Sequence, residues 1–240
     1  MKAWVLVTRA AQDLAELTPG LPEGLELFAY PVLRLVPWEE PERWEEVGQR
    51  LNALELVAVT SPRTPEPLKA QAASRGLDDR LLRLPAAAVG EATAAACRKL
   101  GFTVVLVGTH GGAALAREIA QRLVPPAGIL FPCGREHREE LPAALQSLGF
   151  SVLPLPVYGM EATPLKELPP LPETPPLAVV CTSPRAARRY WQATCGRFAG
   201  VPHLAWGPTT AQELETLGIK PQVLGKPNPQ SLKEALCQIW

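Results

Sequence analysis

Residues 56–63 read Leu-Val-Ala-Val-Thr-Ser-Pro-Arg, and residues 178–185 read Ala-Val-Val-Cys-Thr-Ser-Pro-Arg. In each stretch a short apolar run is followed by the same polar segment. A short run that is apolar at every position is typical of a strand covered on both faces, as in parallel sheets. Serine is a good helix N-cap, and proline suits the first helical position. We therefore predict two copies of a strand that leads directly into a helix.

A second pair of segments indicates an internal duplication. Gly90–Ala94 and Gly207–Ala211 share the pattern Gly-x-x-Thr-Ala, and a Leu-Gly pair follows each of them at the same distance. Gly24 likewise corresponds to Gly149. The matches keep the same order along the chain, at offsets of 125, 122 and 117 residues. Ordered matches at nearly constant spacing predict two similar halves.

Further apolar runs alternate with helical patterns along the chain. Between the runs, residues such as Leu115, Ile119 and Leu123 keep the spacing of an amphipathic helix. The predicted fold class is α/β, with two similar lobes whose parallel sheets are flanked by helices. The runs that we predict as strands are 4–7, 25–30, 56–59, 86–89, 104–107, 129–131, 152–157, 177–180, 203–206 and 223–224.

Two other segments, 31–37 and 154–161, are extended and bracketed by proline, and they leave no room for a helix. They occupy equivalent places in the two repeats. Proline is tolerated at strand ends and sheet edges rather than in central strands. We therefore predict that these segments are connectors between the two lobes.

The composition excludes several classes of function. The 240 residues include 24 Lys+Arg and 24 Asp+Glu, which is unlike the basic excess of most nucleic-acid-binding or polybasic membrane-surface proteins. No apolar run approaches the length of about 18 residues that a transmembrane helix needs. We therefore expect neither nucleic acid nor membrane as a partner.

Cysteine and histidine usage points away from disulfides and metals. The five cysteines form no Cys-x-x-Cys pair and the three histidines are far apart, so we expect free thiols and no metal site. The chain reaches the charged Arg9 after a short apolar run, so we expect no signal peptide and a cytoplasmic protein. The 27 prolines and the scarcity of asparagine are typical of thermophilic proteins.

The two Thr-Ser-Pro-Arg segments supply the first candidate binding residues. Thr60, Ser61 and Arg63 in one copy, and Thr182 and Ser183 in the other, are predicted at the carboxyl ends of strands. Open α/β sheets bind ligands there, and helix N-termini favour anions. Plain helix capping would explain one copy equally well, whereas two copies favour a shared anion-binding cleft.

The Gly-x-x-Thr-Ala segments supply the second set of candidates. Glycine lets a ligand approach the backbone closely, and threonine adds a hydroxyl group. No Walker or Gly-x-Gly-x-x-Gly pattern occurs, so these turns suit an anion without a nucleotide signature. The candidates are Gly90, Thr93, Gly207, Thr209 and Thr210.

Three further side chains are candidates for binding or catalysis. Arg9 and Arg135 each follow a predicted strand, and arginine can bind a carboxylate through two parallel hydrogen bonds. Tyr158 breaks the repeat, because Leu33 stands opposite it, and a phenol can donate a proton to a leaving hydroxyl group. A solvated arginine and a packed connector tyrosine are the alternatives.

Taken together, these residues resemble the uroporphyrinogen-III synthase family over nearly the whole chain. Each matching piece is short, and their order and spacing make the resemblance specific. The family pattern also adds Gly134, beside Arg135, to the candidate binding residues. The matching pieces are Val5–Arg9, Thr60–Arg63, Val89–Gly90, Thr93–Ala94, Gly134–Arg135, Val157–Tyr158, Thr182–Pro184 and Gly207–Ala211.

The resemblance implies two α/β lobes joined by a two-stranded ladder, with the first lobe discontinuous. Lobe 1 would then hold residues 1–30 and 162–240, and lobe 2 would hold residues 38–153. The ladder would be formed by the connectors 31–37 and 154–161.

The resemblance also implies a reaction. The family's substrate is hydroxymethylbilane, a polyanionic linear tetrapyrrole whose terminal hydroxyl leaves as water. The macrocycle then closes with ring D inverted, through a proposed spirocyclic intermediate and without a cofactor or metal. Tyr158 would assist the departure of the hydroxyl group, and the turns and arginines would bind carboxylates. Glu91, next to Gly90, departs from the repeat and would oppose a nearby carboxylate.

Two other functions stay open from the sequence. A non-catalytic two-lobe binding protein for a polyanionic small molecule would share the cleft and the turns, and would need no proton donor. A small nucleotide-sugar transferase would need a longer chain and recognisable nucleotide contacts. We expect the protein to be a monomer, since nothing in the sequence argues for an oligomer.

Overall fold

The computed structural model describes residues 3–15, 17–19, 21–224 and 228–239. The chain divides into two compact units. Unit 1 is discontinuous and comprises the described residues up to Arg34 and from Glu161 onward, while unit 2 comprises Leu35–Met160. The segments 31–37 and 154–161 contain the two points at which the chain passes from one unit to the other. Residues 1, 2, 16, 20, 225–227 and 240 of the predicted lobe 1 lie outside the described residues.

Strands and helices alternate along the described chain. The strands are β1 (Ala3–Val7), β2 (Leu25–Ala29), β3 (Leu33–Pro37), β4 (Leu54–Val59), β5 (Ala86–Val89), β6 (Val104–Gly108), β7 (Gly128–Gly134), β8 (Ser151–Ala162), β9 (Ala178–Cys181), β10 (His203–Ala205) and β11 (Gln222–Val223). The α-helices are α1 (Pro41–Arg50), α2 (Pro65–Ala73), α3 (Asp78–Leu82), α4 (Glu91–Lys99), α5 (Gly112–Ala120), α6 (Glu140–Ser147), α7 (Pro184–Thr194), α8 (Pro208–Thr216) and α9 (Pro229–Ile239).

Unit 1 is built on a parallel sheet with the strand order β11-β10-β9-β1-β2. Its central strands are apolar at successive positions because both faces are covered. Leu6 and Val179 lie in the core on one face, and Val5 and Val180 lie in the core on the other. The unbroken apolar runs in the sequence are thus explained by burial on both sides of the sheet.

The second sheet, whose strands lie mainly in unit 2, has the order β3-β8-β7-β4-β5-β6, and in it β8, β7, β4, β5 and β6 are parallel. The same alternation between two cores occurs here. Val57 and Val59 face one core, whereas Leu56 and Ala58 face the other. The α/β class with parallel sheets flanked by helices is confirmed.

The predicted duplication is visible in the local topology of each unit. The strand before each Thr-Ser-Pro-Arg segment lies next to the strand before each Gly-x-x-Thr-Ala segment, as β4 beside β5 and β9 beside β10. Every apolar run that we predicted as a strand overlaps a strand of the structure. The largest difference is at β7 and β8, which extend to Gly134 and Ala162 and thus beyond the predicted runs.

One buried histidine lies in the core of unit 1. His203 begins β10 and is 1% exposed. Its Nδ1 lies 2.8 Å from the carbonyl oxygen of Val201, so the Nδ1–H group donates to that carbonyl. Burial lowers the pKa of His203 below its ordinary value of 6.5, because a buried imidazolium would lose its hydration. The folded chain therefore favours the neutral form of this imidazole more than the unfolded chain does.

We predict that His203 makes the free energy of unfolding decrease as the pH falls below 6.5. Below that pH the unfolded chain binds a proton that the folded chain does not. At a pH below the pKa of His203 in both the folded and the unfolded chain, a folded-state pKa that is one unit lower reduces the free energy of unfolding by about 1.4 kcal/mol. Urea unfolding of the wild type and His203→Gln at pH 7.5 and pH 5.5 tests this, since the variant should lose less stability between the two. His110→Gln, at an exposed position, is the matched control, and equal losses in wild type and His203→Gln would contradict the prediction.

Candidate functional site

The carboxyl ends of the parallel strands in unit 2 bring most of its predicted site residues to one edge of the sheet. Thr60 and Ser61 follow β4, and Gly90 follows β5. Arg135 follows β7, on the other side of β4. Because neighbouring parallel strands end on the same side, these turns are adjacent.

The first Thr-Ser-Pro-Arg segment does not begin a helix as we predicted. Helix α2 begins at Pro65 with Thr64 as the N-cap residue. Ser61 instead closes a turn, in which its Oγ accepts from the N–H of Arg63 at 3.3 Å and its carbonyl accepts from the N–H of Thr64 at 3.2 Å. A second proline shortly after the first provides another favourable helix start, and the chain uses that one. Thr60 and Arg63 are exposed.

The second Thr-Ser-Pro-Arg segment has the predicted geometry. Ser183 is the N-cap of α7, its Oγ accepts from the N–H of Ala186 at 3.2 Å, and Pro184 is in the first turn. The N–H of Thr182 donates to the Oγ1 of Thr8 at 3.1 Å. The Thr182 amide is therefore already paired within unit 1. Thr8 was not among the predicted site residues, although its position directly after β1 was a signal.

The two glycine turns have similar backbone geometry. Gly90 is the N-cap of α4 with φ +79°, and Gly207 is the N-cap of α8 with φ +112°. A Cβ atom at either position would meet nothing within 4 Å, so the space in front of each turn is open. A positive φ favours glycine, which lets these turns present the helix N-terminus directly to that space.

The threonines of these turns differ in exposure. Thr93 is 3% exposed and Thr210 is 1% exposed, so both side chains face the interior of their units. Thr209 is exposed at the start of α8. Glu91 is also exposed and forms an ion pair with Arg98, two turns further along α4. Of the threonines predicted in these two turns, Thr209 is thus the one whose side chain faces solvent.

Two of the three predicted arginines, Arg9 and Arg135, lie over a tryptophan ring that was not among the predicted site residues. In unit 2, the guanidinium carbon of Arg135 lies 4.0 Å from the ring centroid of Trp38. In unit 1, that of Arg9 lies 4.9 Å from the ring centroid of Trp206, and the Arg9 Nε lies 4.0 Å from Asp13 Oδ2. A ring face attracts a guanidinium and restricts its orientation while leaving its edge free to donate.

Gly134, Arg135 and Tyr158 form a contiguous group in unit 2. Gly134 is paired with Tyr158 in the β7–β8 register, and the N–H of Arg135 donates to the carbonyl of Tyr158 at 2.7 Å. A Cβ atom on Gly134 would lie 2.9 Å from Cε2 and 3.2 Å from the hydroxyl oxygen of Tyr158. The ring of Tyr158 therefore packs directly on the backbone of Gly134, and glycine is required for that contact.

A cysteine and a histidine also meet near this group. His137 Nδ1 lies 3.4 Å from the Sγ of Cys133 and 3.0 Å from the carbonyl oxygen of Gly134. Burial raises the pKa of the Cys133 thiol to about 12. Because the thiol stays protonated and the Nδ1–H group donates to a carbonyl, this pair is not an activated nucleophile. Across the described ranges, no three His, Cys, Asp or Glu side chains are grouped so that they could hold a metal ion.

The fold and these turns define a class: an α/β protein of two parallel-sheet units, each with open helix N-termini and a stacked arginine at the carboxyl ends of its strands. The sequence profile of the uroporphyrinogen-III synthase HemD family matches residues 21–234. The chain belongs to the uroporphyrinogen-III synthase family, whose members act in tetrapyrrole biosynthesis. In the described part of the chain, no helix is long and apolar enough to cross a membrane.

Solved structures of this family have the same fold. Uroporphyrinogen-III synthetase from Helicobacter pylori aligns with a TM-score of 0.63 at 16% identity, over 100% of both chains. A mutant uroporphyrinogen III synthase from the extremely thermophilic bacterium Thermus thermophilus aligns with a TM-score of 0.58 at 18% identity, over 99% of this chain and 98% of that one. At such low identity the likeness shows the fold, and the family rests on the sequence profile.

We predict that Gly134→Ala lowers the free energy of unfolding by about 1–3 kcal/mol, because the new methyl group would overlap the Tyr158 ring. Gly48→Ala is the matched control. Gly48 lies within α1, and a Cβ atom there would meet nothing within 4 Å, so this change should be neutral or slightly stabilising. Urea unfolding of the two variants measures the difference, and equal stabilities would show that the contact between Gly134 and Tyr158 is not restrictive.

Proposed function

We propose that this protein converts hydroxymethylbilane into uroporphyrinogen III, with loss of water and inversion of ring D. The match of the family profile over residues 21–234 is the observation that supports this most strongly. The reaction eliminates water and closes a ring, so the enzyme would be a cyclising hydro-lyase. Both the binding of the substrate and the departure of its hydroxyl group can be assigned to described residues.

The substrate would be bound mainly by backbone and hydroxyl donors at the carboxyl ends of the strands. Its carboxylates are acceptors only, and the open turns at Gly90 and Gly207 present helix N-termini that favour an anion. Exposed or half-buried hydroxyl groups can add hydrogen bonds, and these belong to Thr60, Ser61 and Thr209. Other hydroxyl groups would act chiefly by fixing the turns, namely those of Thr182, Ser183 and the buried Thr93 and Thr210.

A chain with no net charge can bind a polyanion when its positive potential is local. Arg9 and Arg135 would supply part of that potential, since the indole ring beneath each guanidinium restricts its orientation. Arg63 is exposed beside the turn at Ser61 and would supply a further positive charge. Gly134 would support this group through its contact with Tyr158.

Tyr158 is the proposed catalytic residue. As the carbon–oxygen bond of the terminal hydroxymethyl group breaks, the departing hydroxyl takes up a proton and leaves as water. The phenol of Tyr158 can supply that proton or a strong hydrogen bond, and the remaining electron-poor carbon is then attacked by a pyrrole carbon of the same chain. The attacking pyrrole loses a proton when it regains its aromaticity, and this proton balances the one supplied at the start.

Control of geometry matters more than acceleration in this reaction. The bilane closes without inversion when it is left alone, so the protein must hold ring D in the orientation that gives the inverted product. Many fixed hydrogen bonds achieve this better than one strong acid, because they restrict the substrate before the new bond forms. This is the reason to expect a binding surface rich in donors and poor in acid–base groups.

A non-catalytic binding protein for a polyanionic small molecule is the alternative function. It would use the same turns and arginines and would have no need of a phenol held against Gly134. The contact of Tyr158 with Gly134, together with the hydrogen bond from Arg135 to the Tyr158 carbonyl, supports catalysis instead.

We further propose action in a reducing compartment such as the cytoplasm, because Cys195 and Cys237 are free and exposed.

The test of the proposed function is to supply hydroxymethylbilane to the purified chain and to separate the type I and type III isomers after oxidation. The expected result is type III as the main product, formed faster than type I appears without protein. Type I alone, at the rate of the control without protein, would contradict the proposal and favour the binding protein.

We predict that Tyr158→Phe lowers the rate of type III formation on the order of 10- to 100-fold without abolishing it. The phenol would be lost, whereas the positioning contacts would remain. Tyr30→Phe removes a hydroxyl group from the core of unit 1 and is the matched control, which should keep nearly the parental rate. An unchanged rate and an unchanged isomer ratio in Tyr158→Phe would show that the phenol takes no part.

A further inference from the structure

A single buried amide in unit 2 makes hydrogen bonds to three separate segments. Gln71 lies on α2 and is 5% exposed. Its Nε2 donates to the carbonyl oxygen of Val157 at 2.8 Å and to that of Trp38 at 3.1 Å. Its Oε1 accepts from Trp44 Nε1 at 3.0 Å. Both amide hydrogens and the amide oxygen are therefore used, so this polar side chain is fully paired within an otherwise apolar core.

The two backbone carbonyls that Gln71 binds belong to segments that are already paired with each other. The N–H of Trp38 donates to the carbonyl oxygen of Val157 at 3.3 Å. Gln71 thus closes a small network that joins α2, the residue that follows β3 and the middle of β8. Helix α2 reaches both carbonyls through this one side chain.

Each of these segments leads directly to a residue of the proposed site. Val157 precedes Tyr158, whose carbonyl accepts from the N–H of Arg135 at 2.7 Å. The ring of Trp38 lies under the guanidinium of Arg135, with 4.0 Å between the guanidinium carbon and the ring centroid. The amide of Gln71 is therefore hydrogen-bonded to the residue before the proposed proton donor and to the residue that forms the platform beneath the arginine.

The orientation of Gln71 is itself fixed from the other side. Trp44 is 3% exposed, and its ring lies 4.8 Å from the guanidinium carbon of Arg75. Arg75 donates through Nη1 to the carbonyl of Gln71 and through Nη2 to Glu39, each at 2.8 Å. The amide oxygen must face Trp44 Nε1, so the amide nitrogen must face the two carbonyls. This rules out the flipped orientation of the side chain.

We propose that Gln71 is a positioning residue for the reaction, which holds Tyr158 and the Trp38–Arg135 stack in the geometry that gives the inverted isomer. The inference rests on the proposed function. Gln71 does not touch the substrate and acts through the two backbone carbonyls. A buried network in which every donor and acceptor is paired fixes one arrangement of its segments, and a small displacement of a catalytic group is costly for the rate.

The test compares Gln71→Met with the wild type in the hydroxymethylbilane assay, with kcat, KM and the ratio of type III to type I as readouts. Methionine fills the same space and removes both donors and the acceptor. The expected result is a decrease in kcat on the order of tenfold, with a much smaller change in KM and a larger share of type I. The matched control is Leu145→Val, which perturbs the core on the opposite face of the sheet of unit 2 and should keep the isomer ratio.

A double-mutant cycle with Tyr158→Phe distinguishes positioning from a general loss of stability. If Gln71 acts through Tyr158, the decrease in kcat caused by Gln71→Met becomes smaller in the Tyr158→Phe background. An equal decrease in both backgrounds, or an equal shift in isomer ratio in Leu145→Val, would overturn the inference. So would a parental kcat and isomer ratio in Gln71→Met.

A second variant covers the case in which Gln71→Met does not fold. Trp44→Phe keeps the aromatic ring and removes only the donor that orients the amide, so it should lower kcat and the share of type III in the same direction and to a smaller extent. Parental values in Trp44→Phe would overturn the inference in that case. If the wild type gives type III and the variants are normal, only the inference fails, whereas type I alone from the wild type overturns the proposed function and the inference with it.

Discussion

The burial of each parallel sheet on both faces is the constraint on which the rest of the structure depends. Central strands such as β4 and β9 have no solvent-facing side, so nearly every position in them is apolar. Polar groups are then confined to the ends of the strands, and in a parallel sheet all carboxyl ends lie on the same edge. Hydroxyl groups, open helix N-termini and arginines collect there as a consequence of packing, and that edge becomes the place where an anionic ligand can be bound.

The same constraint explains how a neutral chain can suit a polyanionic substrate. The donors at the strand ends are mainly backbone N–H groups and hydroxyls, which add no net charge. Two arginines that do add charge are each held against an indole ring, Arg9 on Trp206 and Arg135 on Trp38. The positive potential therefore comes from a few oriented donors and arginines rather than from an excess of basic residues. Such a local potential is compatible with the anionic substrate expected for a family that acts in tetrapyrrole biosynthesis.

The sequence predicted the class of fold and most strands correctly because apolar periodicity reports burial directly. It also predicted the N-cap of α7 at Ser183, and it was wrong about Ser61, since two prolines near the end of β4 offered two possible helix starts and only tertiary packing selects between them. The choice of Gly134 came from resemblance to the family, which also supported the choice of Tyr158. Their contact could not be predicted, because it depends on the register of β7 and β8. The roles of the candidate residues in binding and catalysis stay predictions.

By itself, the sequence determined the alternation of strands and helices, the duplication and the turns at the strand ends, because these follow from patterns between residues that are close along the chain. Only the tertiary structure placed Gln71 against the carbonyls of Trp38 and Val157, and Trp38 under Arg135. These contacts join segments that are far apart in sequence. No local sequence pattern predicts such contacts, because each partner taken alone looks like an ordinary core or surface residue. Their geometry is determined only when the sheet brings the segments together.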